Sequence, residues 1–290
     1  MNIIQAYING LKSAGQSKRI ATLIYIITLF LGLIVAIPFF QAFKAGTGDS
    51  LLINSLLKDF DFTAFTEAMR HGGSVFKTIA PHGIWIGLFF IILSIFLIGG
   101  ILKTLNQKPT GFSMNYFFDG CGSYFFRFLR LTFYMIIIHI IIALIVFLFL
   151  GLILEGAYKT VESEKGLFYI GLTGGIIYLL LFIFLIIITD YAKIILVKDR
   201  SRKVLVCMWR SIKFVIRHFL RTYGLYLLLL IAPVLLFFIY FILNRAIGMS
   251  SGITILIMFI IQQIFIWSRA WIRIWILGSQ LEFYSVYHEN

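Results

Sequence analysis

Six stretches without a single charged side chain constrain this chain more than anything else in it: residues 20–43, 84–102, 131–154, 166–189, 222–244 and 246–268. A helix needs about 20 apolar residues to cross a hydrocarbon core of about 30 Å, and each stretch is close to that length or beyond it. Strands of a membrane barrel would alternate apolar and polar residues over about ten positions. Here Leu179 to Ile188 and Met135 to Leu150 are apolar on both faces, His139 excepted. Helices satisfy their own backbone in lipid, so the expected fold is all-α, a polytopic membrane protein with six transmembrane helices in a single membrane domain over 1–290. With 61% hydrophobic and 13% charged residues, a soluble fold is excluded.

Lys12, Lys18 and Arg19 precede the first stretch as they would in a secretory signal. A signal core has about 7 to 15 apolar residues, and no Ala-x-Ala site follows Phe43, so this stretch is expected to stay as a membrane helix.

The chain has 25 Lys and Arg against 12 Asp and Glu, a formal net charge of +13. Six spans place both termini on one side. That side collects eighteen basic residues against five acids, and the other side has seven of each. The whole excess therefore falls on one face, which the positive-inside rule makes cytoplasmic. The charge reads as an orientation signal for a bacterial cytoplasmic membrane, not as a nucleic-acid surface. Cys121 and Cys207 then share the reducing side, where they are expected to pack as small apolar residues.

Amphipathic stretches ending in basic residues precede the first, third and fifth spans: 2–19, 112–130 and 204–221. They are expected to form cytoplasmic elbow helices lying in the headgroup plane. In the third, Lys203, Arg210, Lys213, Arg217 and Arg221 fall within an arc of about 80°, opposite Val204, Leu205, Met208, Ile212, Val215, Ile216 and Phe219. That stripe is the candidate contact for anionic lipid of the cytoplasmic leaflet. Phe128-Leu129-Arg130 and Phe219-Leu220-Arg221 recur at corresponding points, which suggests three units of elbow plus hairpin. Outside, residues 44–81 form the one long segment, expected to hold two short helices that either cover the surface or act as a lid.

Polar groups at membrane depth are the best functional pointers. His139, Gln262 and Gln263 come nearest to mid-bilayer, either as hydrogen-bonded glue between helices or lining a polar path. Asp190 lies roughly 35 Å along its helix from the outer end, at the cytoplasmic interface. With Lys193, Arg130, Arg269 and Arg273 at similar depth, an ion cluster on Asp190 is expected to lock the fourth and sixth spans or to bind an anionic substrate. Gly83/Gly87 and Gly171/Gly175 have the spacing for close helix approach, and Pro38 and Pro233 interrupt apolar runs.

The chain carries no phosphate-binding Gly-rich loop with Lys-Ser/Thr, no His-Glu-x-x-His and no Gly-x-Ser-x-Gly. No catalytic residue, metal or cofactor is therefore expected. Gly99-Gly100, Asn115-Tyr116-Phe117-Phe118 with Phe126-Arg127-Phe128, Asp190-Tyr191-Ala192-Lys193, and Gln262-Gln263 followed by Arg269 resemble a group of bacterial six-helix membrane proteins. The pattern is similar to the membrane domain that accompanies some glycerophosphodiester phosphodiesterases. The resemblance covers roughly residues 99–284 and implies polytopic architecture and a link to lipids. The phosphodiesterase's soluble domain, with its His-Arg-Gly element, has no counterpart here, so its activity is not implied.

A non-catalytic membrane component that associates with lipid, or with a membrane protein partner or a second copy of itself, is the expected function. The alternative is a carrier for a small or amphiphilic molecule using His139, Gln262 and Gln263.

Overall fold

The computed structural model describes residues 3–47, 73–107, 113–158, 164–247 and 251–288. The described elements are all helices: α1 (Ile3–Gln16), α2 (Lys18–Thr47), α3 (Gly73–Gln107), α4 (Met114–Tyr158), α5 (Glu164–Lys198), α6 (Val204–Arg217), α7 (Phe219–Ile247) and α8 (Gly252–His288). Six of them, α2 to α5 with α7 and α8, are long and apolar enough to cross a membrane. The fold is that of an all-α multi-pass membrane protein. The short helices expected within 44–81 lie outside the described residues, apart from the ends of α2 and α3.

Length alone divides the longest helix into functional parts. α4 has 45 residues and so measures roughly 68 Å along its axis, more than twice the hydrocarbon core it has to cross. Its C-terminal part is covered in exposed apolar side chains such as Ile140, Leu144, Leu148 and Phe149. Its N-terminal part buries Phe117, Cys121, Tyr124, Phe128, Leu131 and Met135, spaced alternately by four and three residues. Such spacing is a packing seam between helices.

This seam overturns one expectation. The stretch 112–130 does not form a separate elbow, because α4 runs unbroken from Met114 to Tyr158. The buried stripe continues across residue 130, so a bend there would cut the seam. At the other two stretches a separate short helix does form. α1 stops at Gln16 and α2 starts at Lys18, with the Ser17 carbonyl accepting from the Ile20 and Ala21 amides. α6 ends at His218, whose φ of −116° and ψ of 33° leave the helical region before α7 begins. Phe128-Leu129-Arg130 thus sits inside a helix and Phe219-Leu220-Arg221 just after a break.

Packing divides the chain into two compact units, Met1–Ala21 with Phe96–Asn290 and Thr22–Ile95. In the first, the C-terminal half of α5 is central, with Ile187, Ile188, Tyr191, Ala192 and 194–197 all buried. α4, α6, α7 and α8 pack on it. α1 lies on α8 through Ala6, Gly10, Ser13 and Ala14, where a Cβ at Gly10 would overlap Ser279. The Trp271 and Trp275 indoles of α8 donate to the Ala14 and Tyr7 carbonyls of α1, each at 3.1 Å. Small residues on α1 permit the approach, and two indole bonds fix it.

The glycines that bring helices together are not the ones with GxxxG spacing. A Cβ on Gly100 would stand 2.7 Å from the Phe117 carbonyl oxygen, and one on Gly99 would stand 2.8 Å from that of Gly120. α3 and α4 therefore touch backbone to backbone. Gly171 and Gly175 face open space. In the second unit Gly83 and Gly87, with Gly32 opposite, line an apolar crevice of about 520 Å³. Both cysteines are buried and unpaired, and Cys121 fills the space beside Gly100. α2 and α7 continue through Pro38 and Pro233.

Candidate functional site

α6 begins after an extended Lys203 and places three different surfaces around one short helix. Val204, Cys207, Ser211 and Val215 form the buried face, and the Ser211 hydroxyl donates to the Ile188 carbonyl of α5 at 2.6 Å. Small side chains at 207 and 211 let the two helices meet closely. A second flank carries Leu205, Trp209 and Ile216, respectively 56%, 58% and 60% exposed. The third is the basic stripe of Lys203, Arg210, Lys213 and Arg217, all exposed.

The apolar side expected of this helix is therefore split. Only part of it is exposed, because Val204 and Val215 are turned into the protein with Cys207 and Ser211. A helix bound to its own protein by one face keeps its other two faces in fixed orientation, with a large aromatic ring beside cations.

Neighbouring groups hold the stripe in place. Arg210 pairs with Asp199 at 3.1 Å, and the Lys213 ammonium lies 5.5 Å from the Trp209 ring. Arg221, at the start of α7, donates to the Tyr287 hydroxyl at 2.8 Å. The His218 ring between the two helices lies 4.7 Å from that of Tyr287. Burial, and then the Arg217 and Arg221 charges, lower its pKa below the ordinary histidine value. Asp199 and Tyr287 escaped the sequence reading because nothing local marks them: the pairs span 11 and 66 residues.

A second polar centre lies between α5, α7 and α8. One Asp190 carboxylate oxygen accepts from the Lys193 ammonium at 3.1 Å and the other from the Gln280 amide at 3.4 Å. The Asp190 and Lys193 side chains are only 16% and 13% exposed. Arg273 is half-buried and within electrostatic reach of Asp190, as is Tyr226 of α7. Arg130 and Arg269 do not join them. Arg130 donates to the Phe126 carbonyl of its own helix, and Arg269 lies over Phe265 of its own helix at 5.9 Å. Lys193 pairs with Asp190 within α5, and the link to α8 is supplied by Gln280 with Arg273 nearby; the amide of Gln280 stands where a guanidinium was expected.

The polar groups expected near mid-span fall into two separate helix pairs. His139 Nδ1 donates to the Met135 carbonyl at 2.7 Å, and the ring meets Phe182 of α5 edge-on at 5.3 Å. Its proton is thus held by its own helix. Gln262 of α8 donates to the Tyr240 hydroxyl of α7 at 3.3 Å, with Gln263 half-buried beside it. Among the described residues no group of three or more His, Cys, Asp or Glu could hold a metal ion. No protein-family model, curated protein or solved structure matches the chain.

Proposed function

We propose that this protein is a non-catalytic multi-pass component of a bacterial cytoplasmic membrane, with both termini inside, that associates with the anionic inner leaflet through α6. One observation carries the reading. α6 presents Leu205, Trp209 and Ile216 beside Arg210, Lys213 and Arg217, and its third face is anchored on α5. Apolar side chains entering the acyl boundary next to cations at phosphate level are the design of an interfacial helix. Each basic residue near an anionic surface contributes about 1 kcal/mol. The +13 excess on the side that carries α6 supports the same orientation. The resemblance to a lipid-linked membrane domain points the same way. A carrier reading has less support, since His139 and Gln262 sit in different helix pairs.

The test compares the wild type with a variant carrying Arg210→Gln, Lys213→Gln and Arg217→Gln. At about 1 kcal/mol each, the three substitutions are expected to weaken phosphatidylglycerol retention about a hundredfold during purification. Unchanged retention with an unchanged melting temperature rejects the proposal.

A further inference from the structure

Where α3 ends, α4 begins and α5 ends, a cleft of about 420 Å³ opens at the protein surface. Small-molecule sites fall between about 300 and 1,000 Å³, so it has room for a compact ligand. Among the described residues four cations line it, Lys103, Arg127, Arg200 and Arg202, and no carboxylate does. Asn106 and Ser123 add neutral polar groups.

Two of the cations are fixed by the protein. Lys103 pairs with Asp119 and lies over the Tyr116 ring at 4.5 Å. Arg127 donates to the Ser201 carbonyl at 3.2 Å and lies over the Tyr124 ring at 5.1 Å. Among the described residues no carboxylate pairs with Arg200 or Arg202. Four positive charges in one recess with one carboxylate beside them repel one another unless an anion joins them.

The backbone supplies an independent sign. α5 ends at Lys198, and the amides of Asp199 and Arg200 just beyond it donate to the Ile195 and Val197 carbonyls. Arg200 has φ of 47°, the one positive value among the described non-glycine residues. Glycine is the usual occupant of this position, because a Cβ is strained there. An arginine at such a point gives up stability, and what it adds here is a guanidinium on the rim of a cationic cleft.

We infer that this cleft binds a phosphate-bearing anion. Guanidinium groups match phosphate oxygens in paired hydrogen bonds, and here two of them have no carboxylate partner among the described residues. α6 contributes nothing to the lining, so the site is separate from the lipid-contacting helix. The phosphate can be that of a soluble compound or of a lipid headgroup, and the experiment distinguishes them.

Full-length protein in phosphatidylcholine nanodiscs is titrated with inorganic phosphate, and in a second arm phosphatidic acid is added to the nanodiscs. The melting temperature rises with at least one of these. Arg200→Gly with Arg202→Gln weakens that response about tenfold or more, as expected for losing charged hydrogen bonds. Arg200→Gly alone leaves the melting temperature of the unliganded protein unchanged or raises it, because the strain is removed. The α6 triple variant keeps the response. A rise with inorganic phosphate assigns a soluble phosphate compound, and a rise with phosphatidic acid alone assigns a headgroup. No rise in either arm, or equal rises in wild type and the double variant, overturns the inference.

Discussion

The two ends of α4 are made of similar residues and behave as different materials. From Phe117 to Met135 the aromatic and aliphatic side chains are buried in a stripe spaced four and three, close against glycines of α3 and the C-terminal half of α5. From Ile136 to Ile153 they point outward, and Phe147, Leu148 and Phe149 are all more than half exposed. One end is held by protein, and the other is shaped to be held by lipid. The difference teaches that apolar content does not locate the core of such a protein; the spacing of its larger residues and the glycines opposite them do. Polar groups obey the same division. The Asp190 cluster, both separate amphipathic helices and the cationic cleft all belong to the packed end.

Truncating one phenylalanine at each end should break the symmetry of composition most strongly. Phe128 is fully buried and Phe149 is 61% exposed. Phe128→Ala is expected to cost about 3–5 kcal/mol, the usual range for emptying a packed aromatic site. Phe149→Ala in the same detergent should leave the melting temperature almost unchanged, since lipid or detergent fills the space. Comparable losses for both would show that another protein chain packs on the apolar end.

Much of this division was legible in the residues, though not all of it. The six spans follow from uncharged length, which needs no knowledge of neighbours. α1 and α6 follow from amphipathic spacing, and a separate elbow over 112–130 was expected on the same ground. That inference failed because an amphipathic face does not say whether it meets lipid or protein. The steps of four and three from Phe117 to Met135 do not decide between them, since any apolar helix face recurs at that spacing; the glycines Gly99 and Gly100 that receive the stripe lie on another helix. Around Asp190, Lys193 was readable at one helical turn. Gln280 was not, because ninety residues separate it from the carboxylate it meets. The cleft was hidden for the same reason: Lys103, Arg127 and Arg200 come from α3, α4 and the turn after α5, whose convergence no local pattern records.

Glycines sharpen the comparison at smaller amplitude. The same substitution, Gly to Ala, should have opposite signs at the two ends. At Gly100 the new methyl group would meet the Phe117 backbone and Cys121 Sγ, and α3 would have to move off α4. Overpacking of this kind costs about 1–3 kcal/mol. At Gly171, where the space is open, alanine is expected to stabilise α5 by up to about 1 kcal/mol through its helix propensity. Thermal melts of the two variants in one detergent check both signs. Destabilisation by Gly171→Ala would mean that a partner helix closes on the GxxxG face after all.

The smallest effect concerns proton uptake at the packed end. His218 breaks the chain between α6 and α7, ringed by Phe214 and Tyr287, with Arg217 and Arg221 as the flanking charges. Burial and those two cations lower its pKa, so the folded protein binds its proton less readily than the unfolded chain. By linkage the stabilising contribution is complete above the unfolded value of about 6.5 and is lost as pH falls through the lowered folded value. Acidification from pH 8 to 5 should therefore lower the melting temperature of the wild type more than that of His218→Gln. The carboxylates common to both proteins cancel in the difference. Because the imidazole is only half-buried, water screens most of the repulsion and the gap should be a small fraction of the Phe128→Ala effect. Parallel pH profiles would show that protonated His218 is accommodated at no cost, and the link between α6 and α7 would then have no role in pH sensitivity.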